Sequence, residues 1–316
     1  MLKLDFFNPQ IKDSPFTSLV MLIIGVIILS LQDSLIKLMA SQTSFWQLQF
    51  IRSIGNILLL FLLAKLTNGV PILFPKNWKP VYFRALMMTT CMFCFFAASP
   101  KLSFTQMAAG LYTFPIFVSF LAIVFLKERI GIWRIFALFI GSSGALFILE
   151  PWSVNFTILQ ILPIMAGFFF ACNIIIIRKY CREESVMSLT LAVGVIFFLS
   201  ASLGVIFFEF IYANTFFQTS APFVFVGWPV LTFVVFTFCF LCSILNITGN
   251  ILLAKAYQTA ESSWLAPMDY SYLFFATIWG KLFFDVWPTL VNFIGMAFIA
   301  ISGILIAYRE KKLRLD

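Results

Sequence analysis

The feature that most limits what this chain can fold into is its succession of long apolar segments. Between residues 17 and 308, stretches of roughly 20 mostly uncharged residues follow one another with short polar breaks. That is the length a helix needs to cross a hydrocarbon core of roughly 30 Å. Lipid offers no partner to a bare N–H or C=O, so such segments satisfy their own backbone as helices. The spans read as 17–40, 46–64, 82–100, 104–126, 131–149, 157–177, 187–209, 229–254, 262–284 and 287–308. Composition agrees, with 62% hydrophobic and 11% charged residues and a mean hydropathy of +1.01. Soluble domains are about half apolar and a quarter charged. The expected fold is therefore an all-α integral membrane protein of about ten transmembrane helices. Residues 1–16, MLKLDFFNPQIKDSPF, lack the basic start, apolar stretch and cleavage site of a signal peptide. They read as a cytoplasmic N-terminal segment, and 309–316 as a basic cytoplasmic tail.

A net charge of +8 would raise nucleic-acid binding for a soluble chain. Here the distribution of the basic residues accounts for it. With an even helix count and both termini cytoplasmic, 17 of the 21 Lys and Arg fall in inner segments, Arg84 among them. The outer ends hold Lys37, Lys101 and Lys281, and Arg52 lies within a span. Positive residues concentrate on the cytoplasmic side of membrane proteins, so both ends are expected inside the cell, in the cell (inner) membrane. The bilayer and a small metabolite are the expected partners, nucleic acid is not, and monomer and homodimer are both open.

The chain has six cysteines and no histidine. Cys91 and Cys94, and Cys239 and Cys242, form two CxxC pairs, a spacing that in a soluble protein suggests a thiolate zinc site. Both lie inside expected helices, where small weakly polar side chains serve packing. The absence of histidine removes the commonest metal ligand and proton relay. Neither a metal nor a cofactor is expected.

The ten spans repeat. Residues 97–128 lie over 253–285 with one slip. In each, a polar entry leads to a helix holding a proline, Pro115 or Pro267, and ends at an acidic residue, Glu128 or Asp285; a glycine follows, Gly141 or Gly295. Two halves of five helices result, 17–149 and 157–308. Five is odd, so the second half sits upside down relative to the first, an arrangement that puts a solute site at the midplane between them.

This pattern, with Pro267-Met268-Asp269-Tyr270 in the second half, resembles the EamA-type branch of the drug/metabolite transporter superfamily. The resemblance covers nearly the whole chain and implies ten helices in two inverted repeats, with helices 4 and 9 lining a central cavity. The stretches LSLQDSLIKL (29–38) and QLQFIRS (47–53) are similar to the carriers that include riboflavin and S-adenosylmethionine transporters. Asp33, Lys37 and Arg52 match that group's D-x-x-x-K and following Arg. Across the superfamily, substrates range over amino acids, amines, vitamins and nucleotide-derived cofactors.

Two groups of residues are candidates for the site. Asp33 and Arg52 each lie six or seven residues inside the outer ends of helices 1 and 2, roughly 10 Å deep at 1.5 Å per residue. A lone charge at mid-membrane costs about 2.5–3.5 kcal/mol on insertion scales, so these two are expected to pair. With Lys37 one turn beyond Asp33 and Gln49 beside Arg52, they form a candidate gating or coupling group, the alternative being a static bridge between helices 1 and 2. The substrate-binding candidates are Tyr112 and Thr113 in helix 4, where Pro115 frees backbone carbonyls, and Trp264, Asp269, Tyr270 and Tyr272 in helix 9. Asn173 and Asn246 join them as mid-membrane amides, with interhelical hydrogen bonding as the alternative.

The expected function is a secondary carrier moving a small organic metabolite by alternating access. A membrane-embedded enzyme acting on a lipid or lipid-linked substrate would need a nucleophile, base or metal set. No such set is apparent in the sequence, so the chain is not expected to be an enzyme; a channel or scaffold is the remaining alternative.

Overall fold

The computed structural model describes residues 15–313 apart from 68, 128–131, 151–157, 182, 212–217, 219–221 and 260–265. The described chain is built from helices: α1 Pro15–Met39, α2 Phe45–Leu66, α3 Trp78–Ala97, α4 Phe104–Leu111, α5 Phe114–Leu126 and α6 Ile132–Leu149. There follow α7 Leu162–Tyr180, α8 Val186–Ile206, α9 Phe233–Thr259, α10 Ser271–Phe284 and α11 Leu290–Leu313. A 3₁₀ turn, Ala266–Tyr270, leads directly into α10.

Among the described residues, seven segments are long and apolar enough to cross a membrane. They are α1, α2, α3, α4 with α5, α7, α8 and α9. The other expected spans hold shorter apolar stretches, Phe139–Ile148 in α6 and Leu290–Ser302 in α11. The last turns of α11 carry Arg309, Glu310, Lys311 and Lys312, which limit its apolar length. Helix α10 has only 14 residues, because the chain before it is wound as the 3₁₀ turn.

The polarity of the body is that of a protein in lipid. Phe139, Phe210 and Leu290 are exposed, while Gln32, Arg52, Asn173 and Ser243 are buried. Polar side chains have nowhere favourable to go in hydrocarbon except against one another. Short polar links start the helices in defined places. Ser44 caps α2 by accepting from the Gln47 N–H, and Ser185 caps α8 by accepting from that of Ser188. At α4 the cap is a full capping box, with Ser103 bound to Gln106 and Gln106 reaching back to the Ser103 N–H.

Helix α1 packs on α9 and α10; α7 packs on α3, α4 and α5. Helix α2 packs on α8 and α9, α3 also on α8, and α6 on α11. Glycines allow several of these contacts to close. A Cβ on Gly249 would lie 2.7 Å from Leu29 Cγ and one on Gly25 3.1 Å from the Gly249 carbonyl oxygen, so α1 and α9 touch through their backbones. A Cβ on Gly144 would lie 2.7 Å from the Gly295 carbonyl oxygen, which brings α6 equally close to α11. Dispersion contact between small residues is the main glue between helices in lipid.

Two expectations are corrected here. Arg84 is no cytoplasmic flank: α3 begins at Trp78 rather than 82, which carries Arg84 six residues, about 9 Å, into the helix. It is 9% exposed. The break in the fourth span falls at Tyr112–Thr113, two residues ahead of Pro115, because proline fits the first turn of the new helix α5.

Candidate functional site

The interrupted elements converge on one cavity of ≈ 230 Å³. Its walls come from interior turns of the helices: Gln32 and Asp33 of α1, Arg52 and Asn56 of α2, Arg84 of α3 and Asn246 and Asn250 of α9. Tyr112 enters from the α4–α5 break, Asp269 from the 3₁₀ turn and Tyr272 from the first turn of α10. Phe114, Phe170 and Phe197 supply apolar surface between them. A few polar groups set into an apolar concave wall is the usual make-up of a small-molecule site.

Asp33 is the centre of one polar cluster. Its Oδ2 accepts from the Tyr272 hydroxyl at 2.6 Å and its Oδ1 from Gln32 Nε2 at 2.8 Å. Gln32 Oε1 in turn accepts from Asn246 Nδ2 at 2.9 Å, and Asn250 Nδ2 donates to the Asn246 carbonyl at 2.8 Å. The chain of bonds links α10, α1 and α9. Tyr112 stacks on Tyr272 with ring centroids 5.1 Å apart and lies 5.8 Å from Tyr270. The phenol that holds Asp33 is thereby fixed in place from behind.

A second cluster surrounds Arg84. Its Nε donates to Asn173 Oδ1 at 2.7 Å and its Nη1 to the Leu189 carbonyl at 3.2 Å. Asn173 is 3% exposed and spends its oxygen on this cation. It supports the cavity wall from α7 rather than lining it.

Arg52, 3% exposed, is held differently. Its guanidinium lies over the Phe197 ring, 5.7 Å from the centroid. Among the described residues no side-chain hydrogen bond or ion pair engages it, and its Nε is buried without a partner. The direct Asp33–Arg52 ion pair expected from their depths is therefore not formed. Both oxygens of Asp33 are already bound, by Tyr272 and Gln32. Lys37 turns away from Asp33, donating to the Ser99 and Leu102 carbonyls at 2.5 and 2.6 Å, and its ammonium lies 5.2 Å from the Phe284 ring. It ties α1 to the α3–α4 link. Gln49 is buried with neither amide atom partnered, one turn before Arg52 and outside the cavity wall.

The remaining candidates divide. Asp269 and Asn246 line the cavity. Tyr270 stands behind Tyr112 rather than on the wall. Thr113 donates to the Gly110 carbonyl at 2.7 Å and faces α7, where a Cβ on Gly167 would lie 2.9 Å from its Oγ1. Its role is to shape the helix break. Trp264 lies outside the described residues. The four CxxC cysteines are buried in the core, and among the described residues no group of metal-ligating side chains is found.

Gln32 and Arg84 are among the wall residues that the sequence reading did not place in the site. Gln32 is overshadowed by the adjacent Asp33, and only its bonds on both sides reveal it. Arg84 had a legible signal: Asn77 ahead of Trp78-Lys79-Pro80 is an N-cap with proline in the first turn, which starts the helix early enough to bury the arginine.

Residues 16–150 match the EamA-like transporter family. A riboflavin transporter of Vibrio cholerae is 28% identical over 207 residues, 66% of this chain and 63% of that protein's length. A transporter of unassigned substrate from Helicobacter pylori is 25% identical over 292 residues, 91% of this chain and 93% of its own. One solved crystal structure superposes with a TM-score of 0.61 at 12% identity, covering 95% of this chain and 99% of that one, which bears on the fold alone. The transporter relatives and the apolar helices mark the chain as a multi-pass membrane protein, one whose first half, residues 16–150, is similar to the EamA-like transporter family.

Proposed function

We propose that this protein is a secondary carrier that moves a small organic metabolite across the cell inner membrane by alternating access. The observation that carries the reading is the polar cavity at the junction of the broken α4–α5 helix and the 3₁₀ turn before α10. Irregular backbone at membrane depth is tolerated where it is buried in protein or lines a wet cavity, and transporters build their sites there.

The body divides into inverted halves, 17–149 and 157–308. Support comes from the packing: α1 on α9 and α10 is matched by α7 on α3, α4 and α5, while α2–α8 and α6–α11 map onto themselves when the halves are exchanged. The ends of α5 and α10 agree as well. Lys127 and Asp285 both take left-handed conformations, φ 55 and 53, ψ 31 at each, which aligns Lys127 rather than Glu128 with Asp285. Both termini lie in the cytoplasm on the strength of the basic asymmetry. Asp33 and Asp269 are the groups through which a cationic moiety or a coupling proton would act, since carboxylates inside a membrane usually face a solute path.

Purified protein in liposomes loaded with candidate metabolites tests the reading by counterflow of the labelled solute. Exchange that requires the protein and saturates supports it. Chemical turnover of a lipid with no solute exchange would replace it with a membrane-embedded enzyme.

A further inference from the structure

We propose that Arg52 is an anion seat in the cavity, and that the solute bears a carboxylate there; this rests on the carrier reading above. Four charged side chains line the cavity: Asp33, Asp269, Arg52 and Arg84. Asp33 is bound by Tyr272 and Gln32, and Arg84 by Asn173 and the Leu189 carbonyl. Arg52 is buried to 3% exposure, yet no protein oxygen accepts from its guanidinium among the described residues. Buried charges are ordinarily paired, and an unpaired guanidinium in an apolar body is costly.

Its setting suits a ligand in that role. The guanidinium carbon lies 5.7 Å from the centroid of the Phe197 ring, a cation–π contact that uses none of its N–H groups. Ser243 Oγ donates to the Arg52 carbonyl at 3.0 Å, and a Cβ on Gly55 would lie 2.5 Å from the Ser243 Oγ. Helix α2 is thus held hard against α9, and the arginine is anchored beside the cavity. One turn along the same face Asn56 also lines the cavity, its amide oxygen without a partner. The guanidinium fork matches a carboxylate with two parallel N–H bonds, a geometry lysine does not reproduce. At ≈ 230 Å³ the cavity is smaller than the roughly 300–1,000 Å³ of drug-sized sites, so the solute is compact.

Matched probes test the seat. The melting temperature of the purified full-length protein in detergent is followed against benzoate and benzamide, nicotinate and nicotinamide, and glutarate and glutaramide. At least one acid should stabilise the protein with its amide about tenfold weaker or worse, the scale of a charge-assisted hydrogen bond. Arg52→Gln should abolish that preference and Arg52→Lys should retain part of it. The inference is overturned if no acid stabilises the protein, if amides bind as tightly as acids, or if Arg52→Gln keeps the preference. Should the glutamine variant fail to fold, the wild-type comparison and the lysine variant still decide. Counterflow separates the two readings. Acid-selective stabilisation without exchange leaves the seat and sinks the carrier. Exchange of neutral solutes that ignores Arg52→Lys does the reverse.

Discussion

The bond between Arg84 and Asn173 joins α3 to α7 across the two proposed halves, and its strength can be worked out before it is measured. Neutral side-chain hydrogen bonds between membrane helices average about 0.6 kcal/mol and reach about 1.7. This one has a cationic donor, a 2.7 Å separation and two buried partners. Hydrogen bonds to charged groups contribute about 1.5–3 kcal/mol, and removing the acceptor leaves a buried N–H unpaired. Asn173→Ala should therefore cost about 1.5–3 kcal/mol. Arg84→Met keeps much of the side-chain length and removes the charge; on that background Asn173→Ala has no cation left to strand. A double-mutant cycle on reversible unfolding in mixed micelles should return a coupling of at least about 1 kcal/mol, above the neutral average. Effects that add within about 0.5 kcal/mol would show that the two do not interact and would refute the reasoning.

Three further outcomes are expected. Gly249→Leu drives a side chain into Leu29 and the Gly25 carbonyl and should destabilise the fold by about 1–3 kcal/mol in the same assay; an unchanged stability would show that α1 and α9 do not meet there. Tyr272→Phe deletes the 2.6 Å bond to Asp33 while keeping the stack on Tyr112, so exchange in liposomes should slow in protein that still folds; an unaltered rate would remove Asp33 from the transport path. Asp269→Asn should lower exchange or flatten its pH profile in folded protein, and an unchanged rate, affinity and profile would make Asp269 structural.

The membrane class and the existence of the helices were legible in the sequence, because each apolar run must close its own backbone bonds wherever it stands in lipid. Local breaks were legible for the same reason: Pro115 and Pro267 change the chain within a few residues of themselves. Asp33, Arg52 and Asp269 announced themselves as charges in an apolar context and do meet at one cavity. Their partners were a different matter. Depth put Asp33 and Arg52 at one level, but depth is a single coordinate, and the rotation of α1 and α2 about their axes gave Asp33 to Tyr272, 239 residues away in sequence. Lys37 likewise found the carbonyls of a distant link, and Asn173 found an arginine that a four-residue error in one helix start had put in the cytoplasm. Hydropathy determines which segments enter the membrane. Which faces they turn to one another is decided by close packing at points such as Gly25 against Gly249, and that packing exists only once the helices are assembled.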